Sequence, residues 1–186
     1  MAIHSLKSGF RSQMLADSME KAISDVYPAD SHEQIKRPLS LQTMDAANRL
    51  RRLIDAQASD YGRALAEIRQ GRKQSHWMWY IFPQLRRLGY SETAKFYGIN
   101  GRQEAADYLA HPELGSRLVD ISTALLGVDG RTANQIMGSP DDLKLRSSMT
   151  LFSRLTDTNP VFQAVLDEYF AGEPDPKTLA LLTGTD

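Results

Sequence analysis

A chain of 186 residues with 41% apolar and 24% charged side chains suits one domain that can bury a core, with a short appendage. Its 22 lysines and arginines against 23 aspartates and glutamates give a formal net charge of −1, which excludes a chain-wide basic footprint for nucleic acid. The absence of cysteine excludes disulfides, thiolate metal sites and a cysteine nucleophile.

In chain order, residues 1–40 read as the appendage. The start, Met1-Ala2-Ile3-His4-Ser5-Leu6-Lys7, has no continuous apolar stretch of the kind a secretory leader needs. No run approaches the roughly 18 apolar residues of a membrane span, so the expected setting is cytoplasmic, with no membrane partner. Leu15, Met19, Ala22, Ile23 and Val26 form one apolar helical stripe, and Pro28 and Pro38 bracket a polar linker. Such a stripe needs cover, so it is expected to dock on the domain of residues 41–186 or to make a homodimer contact.

Within that domain Leu50, Leu53, Ile54, Leu65 and Ile68 predict one long or broken helix stopped at Gly71. The run Trp77 to Phe82 predicts a short helix capped by Ser75 and ended near Pro83, although its aromatic content also suits a strand. Ser91 opens a short helix through Phe96, and Asn100 opens another through Tyr108 and Leu109. Four later sites pair a capping-type residue with proline: His111-Pro112, Ser139-Pro140, Asn159-Pro160 and Asp175-Pro176. Proline at the first helical position gives up an N–H that would be unpaired anyway, and the residue before it can cap the next donors. Ser139 heads the strongest signal, because Asp141 and Asp142 then face the positive end of the helix dipole, and His111 is the weakest cap. The apolar stripes that follow are Leu114, Leu118, Ile121 and Leu125; Leu145, Met149 and Phe152; Phe162, Val165, Leu166 and Tyr169; and Leu179 with Leu182. Gly127 and Gly172 supply stops. Alternating strands with hairpin turns are missing, and the fold class is all-α.

Chemistry concentrates in Arg72 to Gln84, which holds both tryptophans and one of the four histidines behind two cations. On a helix His76, Trp79, Tyr80 and Pro83 share one face, and Trp77, Ile81 and Gln84 the adjacent one. An aromatic face can stack on a planar ligand, Arg72 and Lys73 can hold its phosphate or carboxylate, and His76 can move a proton near neutral pH. Asp141 to Thr150 supplies a second candidate wall, with Lys144, Arg146 and the hydroxyls of Ser147 and Ser148 as donors. The candidate ligand-binding set is therefore Arg72, Lys73, Ser75, Trp77, Trp79, Gln84, Lys144, Arg146 and Ser147, with His76 as the candidate catalytic residue. A structural reading stands beside it: the rings are core, the cations are solvated, and Asp142 pairs with Arg146 one turn on, contributing about 0.2 to 0.5 kcal/mol. Nucleophile-elbow, phosphate-loop and dinucleotide signatures are absent. The histidines lack the i, i+4 spacing of a zinc helix, so neither metal nor cofactor is expected. Glu67, Asp142 and Glu168 can each act as a base after folding, and nothing in the sequence singles one out.

Gly71-Arg72-Lys73-Gln74-Ser75-His76-Trp77-Met78-Trp79-Tyr80-Ile81-Phe82-Pro83-Gln84 resembles the signature of the domain-of-unknown-function 1810 family, sometimes mislabelled calpastatin. The likeness takes in Asp55-Ala56-Gln57, His111 to Leu118, Asp141 to Phe152, and Phe162 with Leu166, Tyr169, Phe170 and Gly172. It covers roughly Asp45 to Leu182. It implies a mainly helical domain and carries over no catalytic residue. A disordered protease inhibitor, which the calpastatin label would imply, is at odds with so regular a helical pattern. One departure is Arg86-Arg87, where similar sequences tend to have a small residue before Leu88-Gly89.

Two functions compete on these residues. One is a binding protein for a small anionic or nucleotide-like ligand, with enzymatic activity left open. The alternative is a non-catalytic protein-interaction module. Convergence of Arg72, His76, Trp79, Lys144 and Arg146 around one concave opening favours the first; dispersed positions, or rings wholly packed with salt-bridged cations, favour the second.

Overall fold

The computed structural model describes residues 39–184. Among them are nine α-helices and one 3-10 turn, with no strand beyond an isolated bridge between Leu85 and Ile99. The helices are α1 (Leu39–Arg69), α2 (Met78–Ile81), α3 (Glu92–Tyr97), α4 (Arg102–Ala110), α5 (Pro112–Leu126), α6 (Ala133–Met137), α7 (Asp141–Ser153), α8 (Val161–Phe170) and α9 (Pro176–Thr183), and the 3-10 turn is Arg86–Leu88. The domain is all-α, as the periodicity predicts. The chain divides at Asp45/Ala46, within α1, and the unit from Ala46 onward carries the core. The expected N-terminal stripe and its homodimer contact lie outside the described residues. No helix among those described is long and apolar enough to cross a membrane.

The predicted stripes become the core. Leu114, Leu118, Ile121 and Leu125 of α5 are all buried, as are Leu145, Met149 and Phe152 of α7 and Phe162, Val165 and Leu166 of α8. Helix α8 packs on both α5 and α7, while α4 lies against α5, and α6 and α9 against α7. Tyr108, Phe152 and Phe162 run through the centre, with ring centroids 5.3 and 5.7 Å apart. Residues three and four apart present one face of a helix, so each stripe has a single way to turn inward. The α4–α5 corner is tight: a Cβ at Gly115 would sit 2.0 Å from the Leu109 carbonyl oxygen.

Helix starts follow the sequence with instructive exceptions. Ser91 caps α3, accepting from Ala94 N, and Asp175 caps α9, accepting from Thr178 N. His111, the weakest cap on paper, does cap α5: its Nδ1 accepts from Glu113 N and Leu114 N at 3.3 Å each. Asn159 Oδ1 accepts from Val161 N at 3.0 Å. Ser139 does not cap. Asp142 N donates instead to Gly138 O at 2.9 Å, which takes the donor Ser139 would have served, and α7 begins at Asp141. Ser75 does not cap α2 either, and Trp77 holds the cap position without bonding the first turn through its side chain. Helix α6, opened by a Thr132–Gln135 capping box, was not foreseen.

Candidate functional site

The segment from Gln70 to Trp77 is fixed by one carboxylate. Helix α1 ends in a Schellman motif, with Gly71 at φ +73°, Gly71 N donating to Ile68 O at 2.8 Å and Arg72 N donating to Glu67 O at 3.0 Å. Only glycine takes that left-handed backbone without strain. The turn folds the chain back so that the Glu67 side chain faces the residues after it. Gln74 N and Ser75 N donate to its carboxylate at 2.8 and 3.1 Å, Trp77 Nε1 at 2.8 Å, and the Ser75 hydroxyl through a short bond. Burial pushes the Glu67 carboxyl upward, but these donors outweigh it and hold its pKa at about 2. An ionised, fully hydrogen-bonded carboxylate is an anchor, so Glu67 is not an available base.

A second hub is Asp141 in the first turn of α7. Lys73 Nζ and Lys144 Nζ each lie 2.7 Å from its oxygens. Burial raises its carboxyl pKa, and the hydrogen bonds and charges of both lysines reverse that and hold it below the usual range. The Lys73 side chain is only 9% exposed, and that of Lys144 23%. Both cations also ride on indole rings: Lys73 lies 5.2 Å from the Trp77 ring centroid, and Lys144 4.9 Å from that of Trp79. Lys73 N donates to Ile136 O at 2.7 Å, which pins this loop to α6 beside the start of α7.

The predicted site residues therefore separate. Lys73, Lys144 and Trp79 come together around Asp141, and Trp79 is partly exposed. Arg72 and His76 are exposed on the same loop, and neither side chain has a hydrogen-bond or ion-pair partner among the described residues. Ser75 is committed to Glu67. Trp77 is buried, packed against Phe82 at 6.2 Å between centroids, and has no face open to a ligand. Gln84 is partly buried, and its carbonyl accepts from Ile99 N at 2.9 Å. Ser147 is buried and donates to Leu143 O inside α7 at 3.1 Å. Ser148 is buried as well.

Arg146 belongs to a different contact. It reaches the carbonyl oxygen of Glu173 at 2.9 Å and its carboxylate at 3.2 Å, over the ring of Phe170. The expected Asp142–Arg146 pair does not form, because Glu173 offers two acceptors and Asp142 instead accepts from Asn134 Nδ2 at 2.9 Å. Among the described residues, three surface clefts lie on other parts of the domain, and none of these three is lined by a predicted site residue. Sequence reading missed the anchoring role of Glu67 and the hub at Asp141. The Glu67 role had a signal, since it lies four positions before a helix-ending glycine.

Fold and site together define an all-helical domain that presents a basic, tryptophan-bearing loop anchored from beneath by a buried carboxylate. The chain belongs to the family described as Protein of unknown function (DUF1810), whose model matches residues 47–182. It is similar to a conserved hypothetical protein of Mycobacterium tuberculosis, Rv1873, known from a crystal structure at 1.38 Å. The two are 50% identical with a TM-score of 0.71, over 72% of this chain and 96% of that one. No protein of curated function matches the chain.

Proposed function

We propose that the domain binds a small phosphorylated or nucleotide-like anion at the surface formed by the loop of residues 72–79 and the first turn of α7. The observation that carries this reading is the sharing of one carboxylate by two lysines. Lys73 and Lys144 both pair with Asp141; counted with Arg72 on the same loop and with Asp142, which accepts from the neutral Asn134, the loop and the first turn of α7 carry three positive charges against two negative, an excess of one. The dipole of α7 adds positive potential at the same turn. Largely desolvated cations hold such an excess at a cost, and a bound anion relieves it. The partly exposed Trp79 ring beside Lys144 offers a stacking face, and the Arg72 side chain is exposed on the same loop.

Isothermal titration with inorganic phosphate, pyrophosphate and AMP at low salt tests the reading. Lys144→Gln removes one charge-assisted contact, and binding is expected to weaken by about 1.5 to 3 kcal/mol. Asp141→Asn removes the carboxylate that competes for both lysines. It is expected to tighten anion binding while it destabilises the free protein. An ion pair with a purely structural role gives the second effect without the first. If none of the three anions binds, or Asp141→Asn binds no better than the unaltered chain, the reading fails. Should an activity be found, His76→Gln is expected to depress turnover more than binding.

The protein-interaction alternative has its own support in the exposed aromatic side chains Tyr90 and Phe96, beside Arg86 and Arg87. Tyrosine and arginine are the residue types that most often carry binding energy at protein interfaces.

A further inference from the structure

Two stretches of the family likeness lie outside the anion site proposed above: Asp55-Ala56-Gln57 in α1, and His111 to Leu118 at the α4–α5 corner. They meet at a buried polar cluster. Gln57 is 1% exposed, and its amide Nε2 donates to the Tyr80 carbonyl at 2.7 Å and to the Tyr108 hydroxyl at 2.9 Å. Its Oε1 is buried and has no hydrogen-bond partner among the described residues. Turning the amide over gives no relief, because Oε1 would then face the Tyr80 carbonyl oxygen. Tyr108 of α4 is fully buried, and its oxygen accepts from Gln57 while its own proton has no acceptor among the described residues.

Arg117 brings a third unmet group from α5. Its Nη1 is buried without a hydrogen-bond partner among the described residues, and the Glu113 carboxylate one turn back, at 3.3 Å, is within ion-pair distance but outside hydrogen-bond geometry. The guanidinium lies 5.2 Å from the ring centroid of Tyr61, which stands one turn beyond Gln57 on the same face of α1. It also acts on Tyr108: burial pushes that hydroxyl's pKa up, and the bond from Gln57 and the Arg117 charge draw it back. Two donors and one acceptor, from three helices, are left over around one tyrosine hydroxyl, and each is costly to leave unpaired in an interior. An anion would satisfy the donors and be repelled by Oε1, whereas a cation would suit Oε1 and be repelled by Arg117. Water matches all three, accepting from Tyr108 and Arg117 and donating to Gln57, with the three bonds usual for a buried molecule of solvent. We propose that a single internal water is bound between Gln57, Tyr108 and Arg117 and joins α1 to the α4–α5 corner. This site shares no residue with the anion site, so the two stand or fall separately.

A crystal structure of the full chain at atomic resolution, with oxygen-17 magnetic relaxation dispersion in solution, tests the proposal. Density for one water within hydrogen-bond distance of Gln57 Oε1, Tyr108 Oη and Arg117 Nη1 is expected. In solution Tyr108→Phe, which keeps the ring, and Gln57→Met, which removes the acceptor, should each lower the dispersion amplitude by the equivalent of one long-lived water. Circular dichroism verifies that the variants fold, and if neither does, the crystal structure of the unaltered chain decides. Arg117 Nη1 bonded directly to Gln57 Oε1, with no water between them, overturns the proposal. An anion at the site, revealed by anomalous scattering after a bromide soak, overturns it too, as does a dispersion amplitude that neither folded variant changes.

Discussion

Glu67→Gln separates one charge from the geometry it maintains. The carboxylate is 8% exposed, and three N–H donors, from Gln74, Ser75 and the Trp77 indole, all bond to the same oxygen. A glutamine can keep those three on its carbonyl oxygen and turn its amide N–H toward the Ser75 hydroxyl, which then accepts. Shape survives, and only the charge is lost. The carboxyl pKa of about 2 lies well below its ordinary 4.5, and at about 1.36 kcal/mol per pH unit the gap corresponds to about 3 kcal/mol. The folded state binds this proton less tightly than the unfolded chain does. Its contribution is therefore full above about pH 4.5 and disappears as pH falls toward 2.

Urea unfolding followed by tryptophan fluorescence reads the effect, since Trp77 is buried against this network. At pH 7 the variant should be less stable by about 3 kcal/mol. The difference should shrink steadily below about pH 4.5, because acid removes the same charge from the unaltered chain. Asp141, also held below its usual range, titrates in both proteins and cancels from the difference. A loss under about 1 kcal/mol at pH 7, or a loss that does not vary with pH, would refute the anchoring role.

Other substitutions probe other parts of the fold. Arg52 donates to Gly98 O at 2.8 Å and to Glu104 at 2.7 Å, and Glu104 is 4% exposed, so Arg52→Ala takes the counter-charge from a buried carboxylate, leaving it only the two bonds from Asn100, and should cost about 3 kcal/mol in urea unfolding. Adding Glu104→Gln should recover part of that loss. Gly115→Ala drives a methyl group into the Leu109 carbonyl at the α4–α5 corner and should cost about 3 kcal/mol, visible as a lowered Tm. Tyr169→Phe removes a 2.6 Å bond to the Leu125 carbonyl at the end of α5 and should cost about 1 kcal/mol, with little change in the circular dichroism spectrum.

Periodicity is a local property of the backbone, and it was legible without coordinates. The stripes of α5, α7 and α8 turn inward because residues three and four apart share a face, and Gly71 ends α1 because glycine alone takes its backbone angle freely. The signature between Arg72 and Gln84 was equally plain in the sequence, and with it the family. The fate of each side chain within that signature was not. Trp77 and Trp79 are two residues apart, yet one is sealed beneath Lys73 and the other is left at the surface beneath Lys144. Spacing shows that they point apart but not which direction is inward. Partners of charges were hidden for a related reason. Sequence favoured Asp142 for Arg146, its neighbour one turn away, whereas packing brought Glu173 to it and gave Asp141 two lysines. A helix forms from bonds to its own near neighbours, whereas an ion pairs with whichever acceptor the packed tertiary structure carries to within about 3 Å.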